Sequence, residues 1–315
     1  MKSSKNFWKN KRVLVTGGEG FFGAHVVALL QKKSPSAIIV PKRSEYDLRQ
    51  YDVCVSVCKS IDVVIHLAGN VGGIGYNQKN PATLFDDNIL MGVHMVRAAY
   101  AARVKKFVGI GTVCSYPKYT SVPFAEEHLW DGYPEETNAA YGLAKKALLT
   151  QLIAYRSQYG FNGIYLVPEN LYGPLDNFDA RSSHVIPAII RKMVDAKRTQ
   201  AKEVSIWGTG RATREFLYVT DAARAVLLAT ERYNEQYPVN IGAQGELSIR
   251  ELAELIAQGV GYSGKIIFDG KKPDGQPRRA LDTSRAWHEF GFRSKVTFPV
   301  GLDETIRWYV DQNVI

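Results

Sequence analysis

The feature that most constrains this chain lies near its start. A β-branched run, Val13-Leu14-Val15-Thr16, leads directly into Gly17-Gly18-Glu19-Gly20-Phe21-Phe22-Gly23, and a helical stretch to about residue 33 follows. Glycines at 17, 20 and 23 permit a tight turn and let a ligand approach the backbone. A helix that starts there offers unpaired N–H groups and the positive end of its dipole. Such a turn can simply join strand to helix. Its place after the first strand favours a dinucleotide pyrophosphate as the occupant.

The same alternation continues. Apolar β-branched runs at 12–16, 37–40, 62–67, 106–111 and 162–167 are separated by helix-like stretches at 21–33, 52–59, 88–102 and 138–159. Strand and helix periods in alternation predict βαβ units, hence an α/β fold with a Rossmann-type doubly wound parallel sheet. After Pro174 the pattern loosens. Helices are expected at 185–196, 221–232 and 248–259, the last with Ser248 and Glu251 as a capping box. Strands are expected at 203–206 and 214–219, and a Gly/Pro/Lys-rich surface loop at 270–277. The expected division is a dinucleotide-binding domain over 1–173, rejoined by about 213–240. A smaller α/β substrate-binding domain then takes 174–212 and 241–315.

Composition narrows the function classes. With 315 residues, of which 45% are hydrophobic, the chain can bury a sizeable core. No run of 18 apolar residues marks a transmembrane helix, and no apolar segment follows the basic N-terminal residues as in a secretory signal. The chain therefore reads as cytoplasmic. Its net charge of +9 is scattered apart from the N-terminal arm and the pairs Lys271-Lys272 and Arg278-Arg279. Without a basic helix or zinc-finger spacing, that excess suits small anionic ligands better than nucleic acid. Cys54, Cys58 and Cys114 cannot form a disulfide framework, and no metal site is expected. Cys54 and Cys58 are best read as small core residues.

Tyr141 and Lys145 stand one helical turn apart, so phenol and ammonium share a face. A nearby ammonium favours phenolate and makes proton exchange with a carbonyl oxygen easier. Thr112 follows the strand at 106–111, at the carboxyl end where ligands sit in open α/β sheets. Its hydroxyl can reach the same oxygen or merely satisfy a turn. Lys42 and Arg43 follow the second strand, where cations suit the 2′-phosphate of NADP. Glu19 and Glu45 pull the other way.

Glycine loop, threonine and Tyr-x-x-x-Lys together resemble the extended short-chain dehydrogenase/reductase superfamily. Within it the chain resembles the GDP-L-fucose synthase family through Val71-Gly72-Gly73-Ile74, the stretch from Gly111 to Lys118, Asn170-Leu171-Tyr172-Gly173-Pro174, Asn177-Phe178, Ser183-His184-Val185-Ile186-Pro187, Trp207-Gly208-Thr209-Gly210, Arg214 to Val219 and Lys272-Pro273-Asp274-Gly275. The resemblance implies epimerisation at carbons 3 and 5 of GDP-4-keto-6-deoxymannose and NADPH-dependent reduction at carbon 4. Thr112, Tyr141 and Lys145 take the reduction roles by this resemblance, and Cys114 and His184 the proton transfers of epimerisation. Taken singly, Cys114 is equally a small buried residue and His184 a helix-start residue.

The resemblance further implies NADP binding by residues 17–23, Lys42, Arg43, Leu67, Ala68, Ile110, Gly111, Lys145, Pro168, Asn170, Leu171 and His184. The GDP-linked 4-keto-6-deoxy sugar falls to Cys114, Asn170, Lys192, Trp207, Arg214 and Asp274. A homodimer is implied through the helices at 88–102 and 138–159. The chain departs from the family at Thr112, commonly serine, and at Gly18 and Glu19, where a close relative carries histidine and arginine. Reduction alone, epimerisation of another nucleotide sugar such as a deoxyheptose, and a non-catalytic dinucleotide sensor are the competing expectations.

Overall fold

The structure, a computed structural model, describes residues 7–312, so Lys2 and Lys5 of the basic N-terminal arm lie outside the described residues. The first half contains β1 (Arg12–Thr16), α1 (Phe21–Gln31), β2 (Ala37–Ile39), α2 (Tyr51–Val57), β3 (Val63–His66), α3 (Ile74–Lys79), α4 (Pro81–Ala101), β4 (Lys106–Ile110), α5 (Ala139–Tyr159) and β5 (Gly163–Pro168). The second contains β6 (Asn170–Tyr172), α6 (Val185–Arg198), β7 (Glu203–Trp207), β8 (Thr213–Arg214), β9 (Phe216–Tyr218), α7 (Val219–Arg232) and β10 (Val239–Ile241). It ends with β11 (Leu247–Ser248), α8 (Ile249–Val260), β12 (Lys265–Asp269), β13 (Arg278–Arg279), α9 (Ser284–Phe290) and α10 (Phe298–Gln312).

Six strands form one sheet in the order β10-β5-β4-β3-β1-β2, and every neighbouring pair is parallel. Every residue of β3, β4 and β5 is buried, as a sheet covered on both faces requires. Alternation along β1 shows the two faces directly. Val13 and Val15 join a core with Val26 and Leu30 of α1 and Ala222 and Val226 of α7. Leu14 joins another with Met95 and Val96 of α4 and Leu148 and Leu152 of α5. The strand order reverses at β1 and β3, which opens a crevice at their carboxyl ends.

A third core lies beyond the sheet, where Ile186, Ile190 and Met193 of α6 pack with Leu252 and Ile256 of α8 and Leu302 and Ile306 of α10. Two-stranded β7–β12 and β6–β9 sheets and a three-stranded β11–β8–β13 sheet complete this half. The segment carrying α9 does not follow the expected 241–315 grouping. Ala286, Phe290 and Phe292 pack into the first core, against the face of the main sheet that α1 and α7 cover.

Other differences from the sequence reading have local causes. Helix α4 starts at Pro81 rather than 88 because proline suits the first helical position, where no N–H is needed. The expected strand at 214–219 splits at Glu215, whose buried carboxylate accepts the N–H of Leu281 (3.0 Å) while its carbonyl accepts from Asn170 (2.9 Å). Ser248 and Glu251 do form the expected capping box on α8. Cys54 and Cys58 are fully buried, and burial pushes both thiols up to about 12. Among the described residues no helix is long and apolar enough to cross a membrane, and no group of three His, Cys, Asp or Glu side chains could hold a metal.

Candidate active site

A cleft of about 880 Å³ runs from the carboxyl ends of β1 and β3 to the third core. At one end lies the glycine turn. Gly17 has φ +70°, and a Cβ there would stand 2.8 Å from the Ala68 nitrogen; a Cβ on Gly23 would stand 2.0 Å from the Gly17 carbonyl oxygen. Only hydrogen atoms fit in this cradle. No side chain caps the N terminus of α1, so its polar groups face the cleft, as a pyrophosphate site requires. The donor set therefore fits a dinucleotide.

Arg43 lines this part of the cleft, with Glu19, Asp47 and Arg49, whereas Lys42 is exposed and outside it. The expected Lys42–Arg43 pair is thus reduced to Arg43, because the chain turns here, the Lys42 carbonyl accepting the N–H groups of Glu45 (3.1 Å) and Tyr46 (2.9 Å), and the turn leaves Lys42 facing solvent. Gly18 also lies off the lining, its α-carbon turned against Val40. Leu67, Ala68, Ile110, Gly111, Pro168, Asn170 and Leu171 do line the cleft.

Tyr141 reaches the centre because α5 meets the turn after β4 backbone to backbone. A Cβ on Gly142 would lie 2.4 Å from the Cys114 carbonyl oxygen, and Ser115 Oγ donates to the Gly142 carbonyl (2.9 Å). On the other side Tyr165 from β5 donates its hydroxyl to the Lys145 carbonyl (2.8 Å). Thr112 caps the short 3₁₀ turn Val113–Ser115, its hydroxyl oxygen accepting the Cys114 N–H (3.2 Å). Thr112, Tyr141 and Lys145 are all buried in the cleft wall, and Lys145 Nζ stands 6.0 Å from the Tyr141 ring centre.

The electrostatics differ from the sequence expectation. The Tyr141 phenol is pushed above its ordinary value by burial and then by Cys114, against a lowering hydrogen bond with Thr112. The expected depression by Lys145 is not seen; burial dominates, because a buried phenolate loses its hydration. Burial also brings Lys145 down from 10.5 to about 8, which leaves an ammonium at neutral pH. His66, which shares a 2.8 Å hydrogen bond with Thr16 at the sheet edge, is held near 3 by burial and then by the charge on Lys145.

His184 lies at the N-cap of α6 and is exposed to the open cleft. The surrounding cleft walls, with Arg279 second, lower its pKa from the ordinary imidazole value. Two contacts hold its loop: His25 on α1 donates to the Pro174 carbonyl (2.9 Å), and Gly73 N–H donates to the Ser182 carbonyl (3.0 Å). Cys114 is half-buried in the same cleft, and Arg279 Nη1 lies 3.5 Å from its sulfur.

At the far end the Trp207 indole is 49% exposed, with Lys272 Nζ 5.3 Å from its centre. Asp274 accepts from Thr209 N–H (2.7 Å) and hydroxyl (2.8 Å) and so fixes the turn after Trp207. Arg214 donates to the Asp274 carbonyl (3.2 Å), and burial followed by Arg279 pushes it down to about 9. Lys192 lines the cleft and donates to the Ser205 carbonyl (2.9 Å). Asn170 donates to Glu169 (2.8 Å), a buried carboxyl held well above its ordinary range by burial and by Glu215.

All residues expected to act thus meet in one cleft except Gly18 and Lys42. Sequence reasoning missed Arg279 and Glu169 as parts of it. The first was visible only as half of a charged pair, the second only as a neighbour of Asn170.

Residues 13–242 match the NAD dependent epimerase/dehydratase family. The chain belongs to that family. It is 40% identical over 310 residues to a probable GDP-L-fucose synthase 1 of Oryza sativa subsp. japonica, covering 98% of this chain and 94% of that one. Among solved structures, a GDP-6-OMe-4-keto-L-xylo-heptose reductase from C. jejuni superposes with a TM-score of 0.90 at 28% identity, over 96% of this chain and 99% of its own. A GDP-L-fucose synthetase from Naegleria fowleri bound to NADP gives 0.85 at 27% identity, over 96% and 95%. As a member of this NAD(P)-dependent family, the protein is an enzyme of the nucleotide-sugar epimerase/reductase type.

The lowered Lys145 value carries a stability consequence with a definite sign. Between pH 8 and 10.5 the unfolded chain keeps a proton that the folded chain has lost, so stability rises with pH across that window. Lys145→Met lacks this contribution. Urea denaturation from pH 8 to 10.5 should show wild type gaining on the variant, and a constant difference would show an unshifted amine.

Proposed function

We propose that the enzyme epimerises carbons 3 and 5 of GDP-4-keto-6-deoxymannose and reduces carbon 4 with NADPH, giving GDP-L-fucose. The observation that carries this reading is the meeting of two proton-transfer sets, Thr112–Tyr141–Lys145 and Cys114–His184, on one cleft. The cofactor's part follows from the glycine cradle, Leu67, Ala68, Ile110, Gly111 and Pro168 along the sheet edge, and Arg43 beside the adenosine end. Bound there, a nicotinamide cofactor supplies the hydride.

Tyr141 stays protonated at neutral pH and donates its proton to the carbonyl oxygen at carbon 4. Thr112 hydrogen-bonds that oxygen, and the Lys145 ammonium stabilises the phenolate left behind. The same polarised carbonyl acidifies carbons 3 and 5, and Cys114 and His184 exchange protons with them. Asn170 helps orient the sugar. Arg214 and Lys192 meet the diphosphate, Trp207 offers a face to the base, and Asp274 holds the turn beside it. The first 173 residues, rejoined by 213–240, serve the cofactor, and 174–212 with 241–315 serve the nucleotide sugar, the α9 segment excepted. Helices α4 and α5 pair with their copies in a homodimer, consistent with Leu90, Tyr100 and Tyr159 exposed on them. Light scattering should then return about twice the 35.1 kDa chain mass, and a single chain at micromolar concentration would refute pairing.

Arg43→Ala should raise the Michaelis constant for NADPH about ten- to a hundred-fold, the range for one lost charge-assisted hydrogen bond. NADH should be little affected, and equal weakening of both would remove Arg43 from 2′-phosphate recognition.

A second reading, 4-keto reduction of a GDP-deoxyheptose without epimerisation, draws support from the likeness to the heptose reductase. Proton NMR of the product made from GDP-4-keto-6-deoxymannose and NADPH in deuterium oxide separates the two. Wild type should give the fucose configuration with deuterium at carbons 3 and 5. Tyr141→Phe should reduce turnover at least about 10²-fold, and Cys114→Ala should lose the deuterium. Product without deuterium from wild type would leave only the reductase.

A further inference from the structure

The loop between β12 and β13 does more than border the nucleotide. Arg279, 6% exposed, brings Nη1 to 3.5 Å from the Cys114 sulfur. Its field also reaches His184, where it is the second cause of the lowered imidazole, and Arg214. No other cation is hydrogen-bonded to the Cys114 sulfur among the described residues. Arg279 therefore touches one of the two groups assigned to proton exchange and acts electrostatically on the other.

Gln276 fixes that guanidinium. Its side chain is 3% exposed and fully engaged: Oε1 accepts from Arg279 Nε (3.0 Å), and Nε2 donates to the carbonyls of Pro117 (3.1 Å) and Lys118 (3.0 Å). Those carbonyls belong to the same segment as Cys114. Gln276 thus ties the guanidinium and the thiol-bearing turn to each other, and the reach of Arg279 to sulfur is set by two fixed ends. A buried amide with every bond made tolerates little movement.

We propose that Arg279 is a catalytic residue of the epimerisation, stabilising the Cys114 sulfur as the thiolate that takes a proton from the sugar, and that Gln276 is its positioning residue. The proposal rests on the epimerase reading above. In the step, the Cys114 thiolate takes the proton from carbon, and the pair of the broken C–H bond moves into the ring to leave an enolate on the carbon 4 oxygen. His184, starting protonated, gives its own proton to the carbon from the opposite face and is left neutral; proton exchange with solvent then returns the resulting thiol and imidazole to thiolate and imidazolium, so atoms and charge balance. An arginine is suited to this place because it stays charged when buried beside sulfur and keeps a second nitrogen for Gln276.

The test uses the full enzyme loaded with NADP⁺, so that no hydride transfer competes, and follows deuterium wash-in at carbons 3 and 5 of GDP-4-keto-6-deoxymannose by NMR. Arg279→Gln should slow wash-in at least about tenfold in its maximal rate, with the half-saturating substrate concentration changed less than about threefold. Arg279→Lys should retain most of the rate, and added guanidinium ion should restore exchange to Arg279→Gly. Gln276→Leu should show a smaller loss of the same kind, again in rate rather than in saturation. Wash-in at the wild-type rate in Arg279→Gln, a loss in Arg279→Lys as large as in Arg279→Gln, or no response to guanidinium would overturn the assignment. Wash-in that survives Cys114→Ala would instead overturn the epimerase role of Cys114, a different failure from that of Arg279.

Discussion

The contact on which the candidate site depends is the approach of α5 to the turn after β4. At Gly142 the two backbones meet closely enough that no side chain fits between them, and Ser115 bonds across the gap. Tyr141 and Lys145 are thereby referenced to Thr112 and Cys114 through main chain, which has few soft degrees of freedom, rather than through side-chain packing. Tyr165 on β5 fixes the same helix from the sheet. Helix, turn and strand form a rigid frame, and a frame of that kind is what keeps proton donors at working distance.

Within the frame the protein holds several charges away from water. Lys145, Arg214 and Arg279 are each at most 7% exposed, with Glu169 and Glu215 among them. Burial lowers Lys145 and Arg214 and raises Glu169 and Glu215, displacing these four toward their neutral forms. The excess of cations at this end of the cleft suits an anionic ligand.

Much of the fold was legible because it rests on periodicity. The strands at β1, β3, β4 and β5 are apolar runs that must be buried on both faces, and the helices between them show the complementary pattern. Tyr141, Lys145 and Thr112 were legible because each stands at a fixed offset from such an element. Less could be read where geometry depends on partners distant in sequence. The splitting of the 214–219 strand at Glu215 answers to Leu281 and Asn170, and the place of α9 answers to the main sheet. Arg279 lies 165 positions from the sulfur it touches, and nothing local marks that encounter. The acidity of Tyr141 could not be read at all from its spacing to Lys145, because it is set by burial first, then by Cys114 and Thr112.

The hydrogen bond from His25 to the Pro174 carbonyl joins two parts that serve different ligands. His25 belongs to the helix whose N terminus faces the dinucleotide, and Pro174 is the root of the loop that carries His184. A ligand that shifted either the N terminus of α1 or this loop would act on the other through that one bond. Such a link is reciprocal in free energy: whatever factor one ligand adds to the affinity of the other is returned unchanged. Order of addition then becomes a matter of rates, with the two sites sharing a single energy of coupling.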